Sequence, residues 1–118
     1  MEDAPIFDAA RQVAAAEAMR RLPRRGGKRF FTAFRHGSLQ VEMYAPRGRD
    51  AQRPHARDEV YLVVQGRGVY VNGAQRFAFG PGDLLFAAAG ERHRFERFTE
   101  DFFTWVLFYG PDGGEKPR

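Results

Sequence analysis

The chain has 118 residues, of which 43% are hydrophobic and 14% aromatic, and it contains no cysteine. This length suffices for one packed domain and is too short for two. Without cysteine, neither a disulfide framework nor a thiolate metal site can form, so we expect a cytoplasmic protein. No apolar run reaches the length that a membrane-spanning helix needs, and the N-terminus lacks the basic residues of a signal peptide, so we expect no membrane attachment.

A formal net charge of +4 raises the question of nucleic-acid binding, since clustered cations can neutralise phosphates. The cluster in this chain is Arg20, Arg21, Arg24, Arg25, Lys28 and Arg29. Basic side chains are also typical of the last turn of a helix, where they complement the helix dipole. We therefore expect no nucleic-acid partner.

Residues 1–27 are predicted to form an N-terminal helix and a linker. Asp8 can cap a helix whose alanine-rich body, AARQVAAAEAMRR, ends before Pro23. The weak apolar stripe of this helix consists of Ile6, Ala9, Val13, Ala16 and Met19. The segment PRRGG that follows has a helix-breaking composition, and nothing after it predicts another helix.

Residues 28–110 are predicted to form about eight short β-strands, followed by a polar tail at 111–118. The strand segments are KRFFTAFRH, SLQVEMYAP, EVYLVVQ, GVYV, QRFAF, DLLFAA, HRFERF and FFTWVLFYG. SLQVEMYAP alternates as a half-buried strand does, with Leu39, Val41 and Met43 on one face and Gln40, Glu42 and Tyr44 on the other. Asn72-Gly73 predicts a hairpin turn. Many short strands at this spacing favour an all-β sandwich or closed barrel.

Two stretches carry the residue types of a metal site. In QRPHARDEVYLVVQGRG, His55 precedes Glu59 by four residues, and a turn at 56–58 would fold a strand that ends at His55 back on the next one. In GPGDLLFAAAGERHRFERF, His93 also follows a turn. Imidazole and carboxylate groups suit a divalent first-row metal, although His55 and Glu59 could also form a plain hydrogen-bonded pair. His36 lies at a turn outside both stretches, and we expect it at the surface.

These stretches resemble the two sequence motifs of the cupin superfamily. The first motif consists of Gly, five residues, His-x-His, three or four residues, Glu, six residues and Gly, and its second half matches His55, Glu59 and Gly66. The second motif consists of Gly, five residues, Pro-x-Gly, two residues, His, three residues and Asn. It matches Gly82, Gly90 and His93, while Ala88 replaces the usual proline and Arg97 the usual asparagine.

The chain is thus similar to small single-domain cupins with one conserved barrel, which implies a jelly-roll β-barrel, or double-stranded β-helix, over most of residues 38–110. It also implies a divalent iron, manganese, zinc or nickel ion held by His55, Glu59 and His93. The first histidine of the family motif falls on Arg53, whose guanidinium stays protonated and cannot ligate a metal. Gln52 could instead supply a fourth ligand if a bulge rotated it inward.

The resemblance does not select one reaction, because cupins include dioxygenases, isomerases, decarboxylases and ligand-sensing modules. We expect a metal-binding cupin that acts on a small molecule as an oxygenase or isomerase. The alternative is a metal-free module that binds an anion through Arg53, and Tyr61 is a further candidate for substrate binding. The last strand is apolar on both faces, and small proteins of this resemblance are commonly dimers, so we also predict a homodimer.

Overall fold

A computed structural model describes residues 11–23 and 26–116 of the chain. Within these residues the chain forms one short helix and eight strands, which confirms the predicted all-β fold class. The elements are α1 (Ala15–Arg20), β1 (Phe30–His36), β2 (Leu39–Tyr44), β3 (Asp58–Gln65), β4 (Gly68–Asn72), β5 (Gln75–Phe79), β6 (Leu84–Ala87), β7 (His93–Glu96) and β8 (Phe103–Tyr109). No helix in the described part is long and apolar enough to cross a membrane.

The strands form two antiparallel sheets of the jelly-roll type. One sheet has five strands in the order β1-β2-β8-β3-β6, and the other has three in the order β5-β4-β7. Each predicted strand segment overlaps one observed strand, and the ends differ by at most two residues. Runs of aromatic and β-branched residues between turn residues are a local signal for strands.

The predicted hairpin joins β4 to β5, with its turn one residue later than expected. Asn72 pairs with Gln75, so Gly73 and Ala74 make the two-residue turn. Gly73 has a φ of 59°, which is the positive value that tight hairpin turns favour. Asn72 is unavailable for the turn because it also pairs with His93 on β7.

An aromatic core fills the space between the two sheets. Its members are Tyr61, Val63, Tyr70, Phe79, Phe95, Phe102, Val106 and Phe108. The rings of Tyr61 and Phe95 meet edge to face, with centroids 4.9 Å apart and planes at 83°, which is a preferred aromatic geometry. Because Tyr61 lies on β3 and Phe95 on β7, this contact sets the spacing between the strands that carry Glu59 and His93.

Helix α1 covers part of the outer face of the five-stranded sheet. The buried residues of this second cluster are Ala18, Leu22, Phe31, Ala33, Met43 and Ala45, and Phe103 and Trp105 of β8 pack against them. The helix therefore covers the start of β8, which accounts for part of the apolar outer face of that strand without a second subunit.

The helix is shorter than predicted. It begins at Ala15, and Ala14 before it has an extended backbone, with φ −70° and ψ 133°. Its buried residue is Ala18, whereas Ala16 of the predicted stripe is exposed. Because alanine occurs on every side of this segment, the hydrophobic pattern could not select a face. The proposed cap at Asp8 and the stripe residues Ile6 and Ala9 lie outside the described residues.

The segment before β3 also differs from the prediction. Residues 51–55 form no strand, so His55 lies on a loop and only the bend at 56–57 matches the expected turn. Pro54 lacks the N–H group that a strand ladder would need, which explains why no hairpin forms here. The polar tail packs against this loop, since the backbone N–H of Gly113 donates to the carbonyl oxygen of Ala56 at 2.6 Å. His36 is exposed at the end of β1, as predicted.

Candidate metal centre

His55, Glu59 and His93 come together between the two sheets. Glu59 lies on β3 of the five-stranded sheet, His93 begins β7 of the three-stranded sheet, and His55 lies on the loop that leads into β3. One potential ligand atom from each residue lies within 4.8 Å of the other two. The fold thus gathers three residues that are up to 38 positions apart in sequence.

The separations within this cluster are close to those of a coordination shell. The Nε2 atom of His93 lies 2.5 Å from Oε1 of Glu59, and Nε2 of His55 lies 3.9 Å from Oε2 of Glu59. Ligand atoms at ~2.0–2.2 Å from one ion are themselves separated by roughly 3 to 3.6 Å, and the two observed distances bracket that range. The side chains of Glu59 and His93 are each 1% exposed, whereas that of His55 is 38% exposed. The cluster therefore has a closed side and an open side.

The unpaired polar atoms of the cluster fit a cation. Among the described residues, Nε2 of His93 and both carboxylate oxygens of Glu59 are buried without a hydrogen-bond partner, despite the short distance between two of them. A buried carboxylate is costly unless it is paired, hydrogen-bonded or bound to a metal. The Nδ1 atom of His93 lies 2.8 Å from the carbonyl oxygen of Glu91. Since a carbonyl only accepts, Nδ1 carries the proton of the neutral imidazole, which leaves the lone pair of Nε2 for a cation, as in a metal-binding histidine.

The electrostatics of His93 reflect the same arrangement. Burial lowers the pKa of His93, but the Glu59 carboxylate and the Glu91 carbonyl group raise it, and the net direction is upward. A proton is therefore the natural competitor of a cation at this pair.

Two hydrogen bonds donated by backbone N–H groups fix the segment before His93 against the segment that carries His55 and Glu59. The N–H of Gly90 donates to the carbonyl oxygen of His55 at 2.8 Å, and the N–H of Ala89 donates to Oδ1 of Asp58 at 2.9 Å. Asp58 is buried, and its Oδ2 accepts from the N–H of Glu115 at 2.8 Å. The sequence interpretation assigned Asp58 only to a turn, although an acid at the start of a buried strand is itself a signal for a structural hydrogen-bond acceptor.

Asp50 organises the loop beside the cluster and was missed from the sequence. Its Oδ2 accepts hydrogen bonds from Nε2 of Gln52 and from the backbone N–H of Phe95, both at 2.8 Å. Its Oδ1 accepts from the Tyr44 hydroxyl and from the backbone N–H of Gln52. A single carboxylate thus joins β2, the loop and β7, and no local pattern distinguishes it from the other charged residues of that loop.

Gln52 and Tyr61 lie on the inner side of this network. Because Nε2 of Gln52 donates to Asp50, its Oε1 faces Tyr61, whose hydroxyl donates to it at 2.9 Å. The ring of Tyr61 is fully buried, with its centroid 6.0 Å from that of His93. Burial raises the pKa of Tyr61 well above its usual value, so the hydroxyl remains a donor. Oε1 of Gln52 keeps one further lone pair.

A cavity of about 670 Å³ adjoins the open side of the cluster. Its wall includes His55, Gln52, Thr32, Gln40, Glu42, Tyr44, Arg57, Val106 and Phe108. The polar face of β2 lines this cavity, and Met43 on the other face is buried in the cluster that includes Ala18 of α1. The predicted alternation in β2 is therefore confirmed. Arg53 is exposed and is not among the residues of the cavity wall, so the fold does not bring this predicted substrate residue to the site.

The family model for the cupin domain matches residues 40–108, more than half of the chain. The chain therefore belongs to the cupin family. An uncharacterized protein from Streptomyces coelicolor is 35% identical over 80 residues, which are 66% of this chain and 76% of that protein. The transcriptional activator RhaS from Yersinia pestis is 32% identical over 74 residues, or 63% of this chain. The match covers 27% of RhaS, so the chain spans about a quarter of that relative's length.

Solved structures show the same fold. A cupin-2 domain protein from Shewanella frigidimarina superposes with a TM-score of 0.66 at 13% identity, over 83% of this chain and 94% of the other. A structure from a study of DMSP lyases superposes with a TM-score of 0.60 at 26% identity, over 75% of this chain and 50% of the other.

Proposed function

We propose that the protein is a metal-dependent cupin that holds a divalent first-row ion on His55, Glu59 and His93 and binds a small organic molecule in the adjoining cavity. The observation that carries the proposal is the set of buried, unpaired Glu59 and His93 ligand atoms that converge with His55 beside that cavity. A metal held by two imidazoles and one carboxylate would supply Lewis-acid or redox chemistry here. Such a donor set suits an oxygenase or an isomerase.

The residues at this site differ in their exposure and therefore in their proposed roles. Glu59 and His93 are closed off from water, whereas His55 is exposed towards the cavity, so a ligand approaches from the His55 side. Val106 and Phe108 give the cavity an apolar wall. Gln52 is the candidate for a fourth ligand, because its Oε1 keeps a lone pair and its side chain shares the cavity wall with His55.

Elemental analysis of protein prepared without an affinity tag tests the metal site. We expect about one equivalent of iron, manganese, zinc or nickel in the parent and little in His55→Ala or His93→Ala, because each variant loses one of three protein ligands. His36→Ala is the matched control, since this histidine is exposed and outside the cluster. Circular dichroism would verify that each variant folds. Folded His55→Ala and His93→Ala proteins that both keep the parent's metal content would show that the site is wrongly assigned.

A second candidate function is a metal-free module that binds or senses a small molecule. The similarity to RhaS favours it, since that relative is named a transcriptional activator, although the match covers only about a quarter of it. Absence of metal from the parent after reconstitution with each of the four ions would favour this second function over the first.

We also propose that two copies of the chain associate through the outer face of β3 and β6. Leu62, Leu84 and Phe86 are 37%, 63% and 46% exposed on this face. The strand register places Leu62 beside Leu84 and Val60 beside Phe86, so these side chains form one continuous apolar patch. Continuous apolar patches on a protein surface commonly mark protein interfaces.

A further inference from the structure

The charged side chains of the cavity wall are mostly positive. Four are cations and two are acids: Lys28, Arg29, Arg49 and Arg57 against Glu42 and Asp112. A recess lined mainly by one sign of charge concentrates ligands of the opposite sign. The cavity is therefore better suited to an anion than to a cation or a neutral molecule.

Arg57 is a cation of this wall whose guanidinium is held by two hydrogen bonds and an aromatic ring. Its Nη1 donates to the carbonyl oxygen of Ser38 at 2.5 Å, and its Nη2 donates to Oε1 of Gln40 at 3.2 Å. Its Cζ atom lies 5.7 Å from the centre of the Phe108 ring. These contacts hold the guanidinium plane in place and use two of its five N–H donors.

Arg57 has no carboxylate partner within ion-pair distance in the part of the chain that the structure describes. Arg76 and Arg94, in contrast, both pair with Glu96 on the surface. A positioned guanidinium with three free donors in a cavity wall is a receptor for a planar, bidentate anion such as a carboxylate.

The same aromatic ring connects Arg57 to the candidate metal centre. The ring of Phe108 also contacts His55, with ring centroids 5.0 Å apart. Arg57 and His55 thus pack on one ring and line one cavity, so a single small molecule can reach both.

We propose that the ligand of this cavity is an organic carboxylate, whose carboxylate group pairs with Arg57 while the rest of the molecule runs along Phe108 and Val106 towards His55. This inference rests on the proposed function, because it names the class of molecule that the metal centre would meet. It assigns the anion-binding role to Arg57 in place of Arg53, which is exposed outside the cavity.

The test is titration of the full chain with acetate, succinate and 3-phenylpropanoate and with the primary amide of each acid. Calorimetry measures affinity, and backbone amide chemical shifts locate the site. We expect at least one acid to bind more tightly than its amide, with shifts centred on His55 and Phe108. Arg57→Gln should weaken that binding roughly tenfold or more, because a charge-assisted bidentate contact is lost. Arg57→Lys keeps the positive charge but lacks the paired N–H donors of a guanidinium, so it should bind with intermediate affinity.

Arg76→Gln is the matched control, since it removes one exposed positive charge on β5 and should leave the affinity unchanged. The inference is overturned if no acid binds more tightly than its amide, or if Arg57→Gln binds the acids as the parent does. Each titration is repeated after chelator treatment, with the metal content measured. If the protein takes up no metal but still needs Arg57 to bind the acid, only the proposed metal function is refuted. If the protein contains metal but binds the acid equally well without Arg57, only this inference is refuted.

Discussion

Arg97 shows how a position in a family motif reflects backbone conformation. Among the described residues it is the only non-glycine residue with positive φ, at 51°. The second cupin motif usually has asparagine here, and asparagine tolerates the left-handed region better than long side chains do. In this chain, an asparagine would suit the bend that follows β7 better than the arginine that is present.

Arg97→Asn should therefore raise the free energy of unfolding by up to about 1 kcal/mol, because the left-handed conformation costs asparagine less than arginine. Urea denaturation measures the difference. Arg92→Asn is the matched control, since Arg92 is exposed in the preceding loop and its φ is not positive, and it should change stability by less than about 0.5 kcal/mol. Equal stability of Arg97→Asn and the parent would contradict the strain argument.

The connection between β3 and β4 depends on Gly66, which ends the first cupin motif. Its φ is +93°, and a Cβ atom there would lie 2.6 Å from the Cα atom of Phe102. Phe102 is fully buried in the aromatic core directly before β8. The chain therefore needs glycine at this point for two separate reasons, its backbone conformation and the close approach of a neighbouring backbone.

Gly66→Ala should lower the free energy of unfolding by more than about 2 kcal/mol, since backbone strain and a steric clash add. Gly73→Ala isolates the first effect, because Gly73 also has positive φ but a Cβ atom there would meet no other atom within 4 Å. It should cost about 1 kcal/mol. Thermal or urea unfolding gives both values, and equal losses in the two variants would contradict the packing argument.

The outer face of the five-stranded sheet is covered unevenly. Helix α1 packs over its β1, β2 and β8 side, where Met43 is fully buried. The β3 and β6 side exposes Leu62, Leu84 and Phe86. Burial of this second half against another copy would remove apolar surface from water, which is the main force in protein association.

Sedimentation analysis tests the proposed dimer. We expect the parent to have twice the mass of one chain and Leu84→Glu to be a monomer, because a charge in the centre of the apolar patch must lose its hydration on association. Ala74→Glu adds the same charge at the exposed β4–β5 turn and should leave the dimer intact. A monomeric parent, or a dimeric Leu84→Glu protein, would refute the proposed interface.

Local patterns were sufficient to predict the strands, and the resemblance to the cupin motifs implied the three candidate ligands. Alternation and turn residues act over a few neighbouring positions, so the segments around all eight strands could be identified without knowing their partners. The helix was harder to delimit, because alanine on every side of residues 14–18 offers no preferred face. The bounds of α1 depend on its contact with Phe31 and Met43, which are distant in sequence.

The order of apolar and turn residues along the chain predicts the all-β fold, and the spacing of two motifs carries the cupin resemblance with its candidate ligands. The packed fold adds that the polar face of β2 lines a cavity, that Arg57 lies in its wall while Arg53 is exposed, and that Asp50 and Asp58 connect the segments around the site. These contacts join segments from different strands and sheets. Which side chains meet there depends on strand register and loop path, and neither is set by near neighbours in the chain.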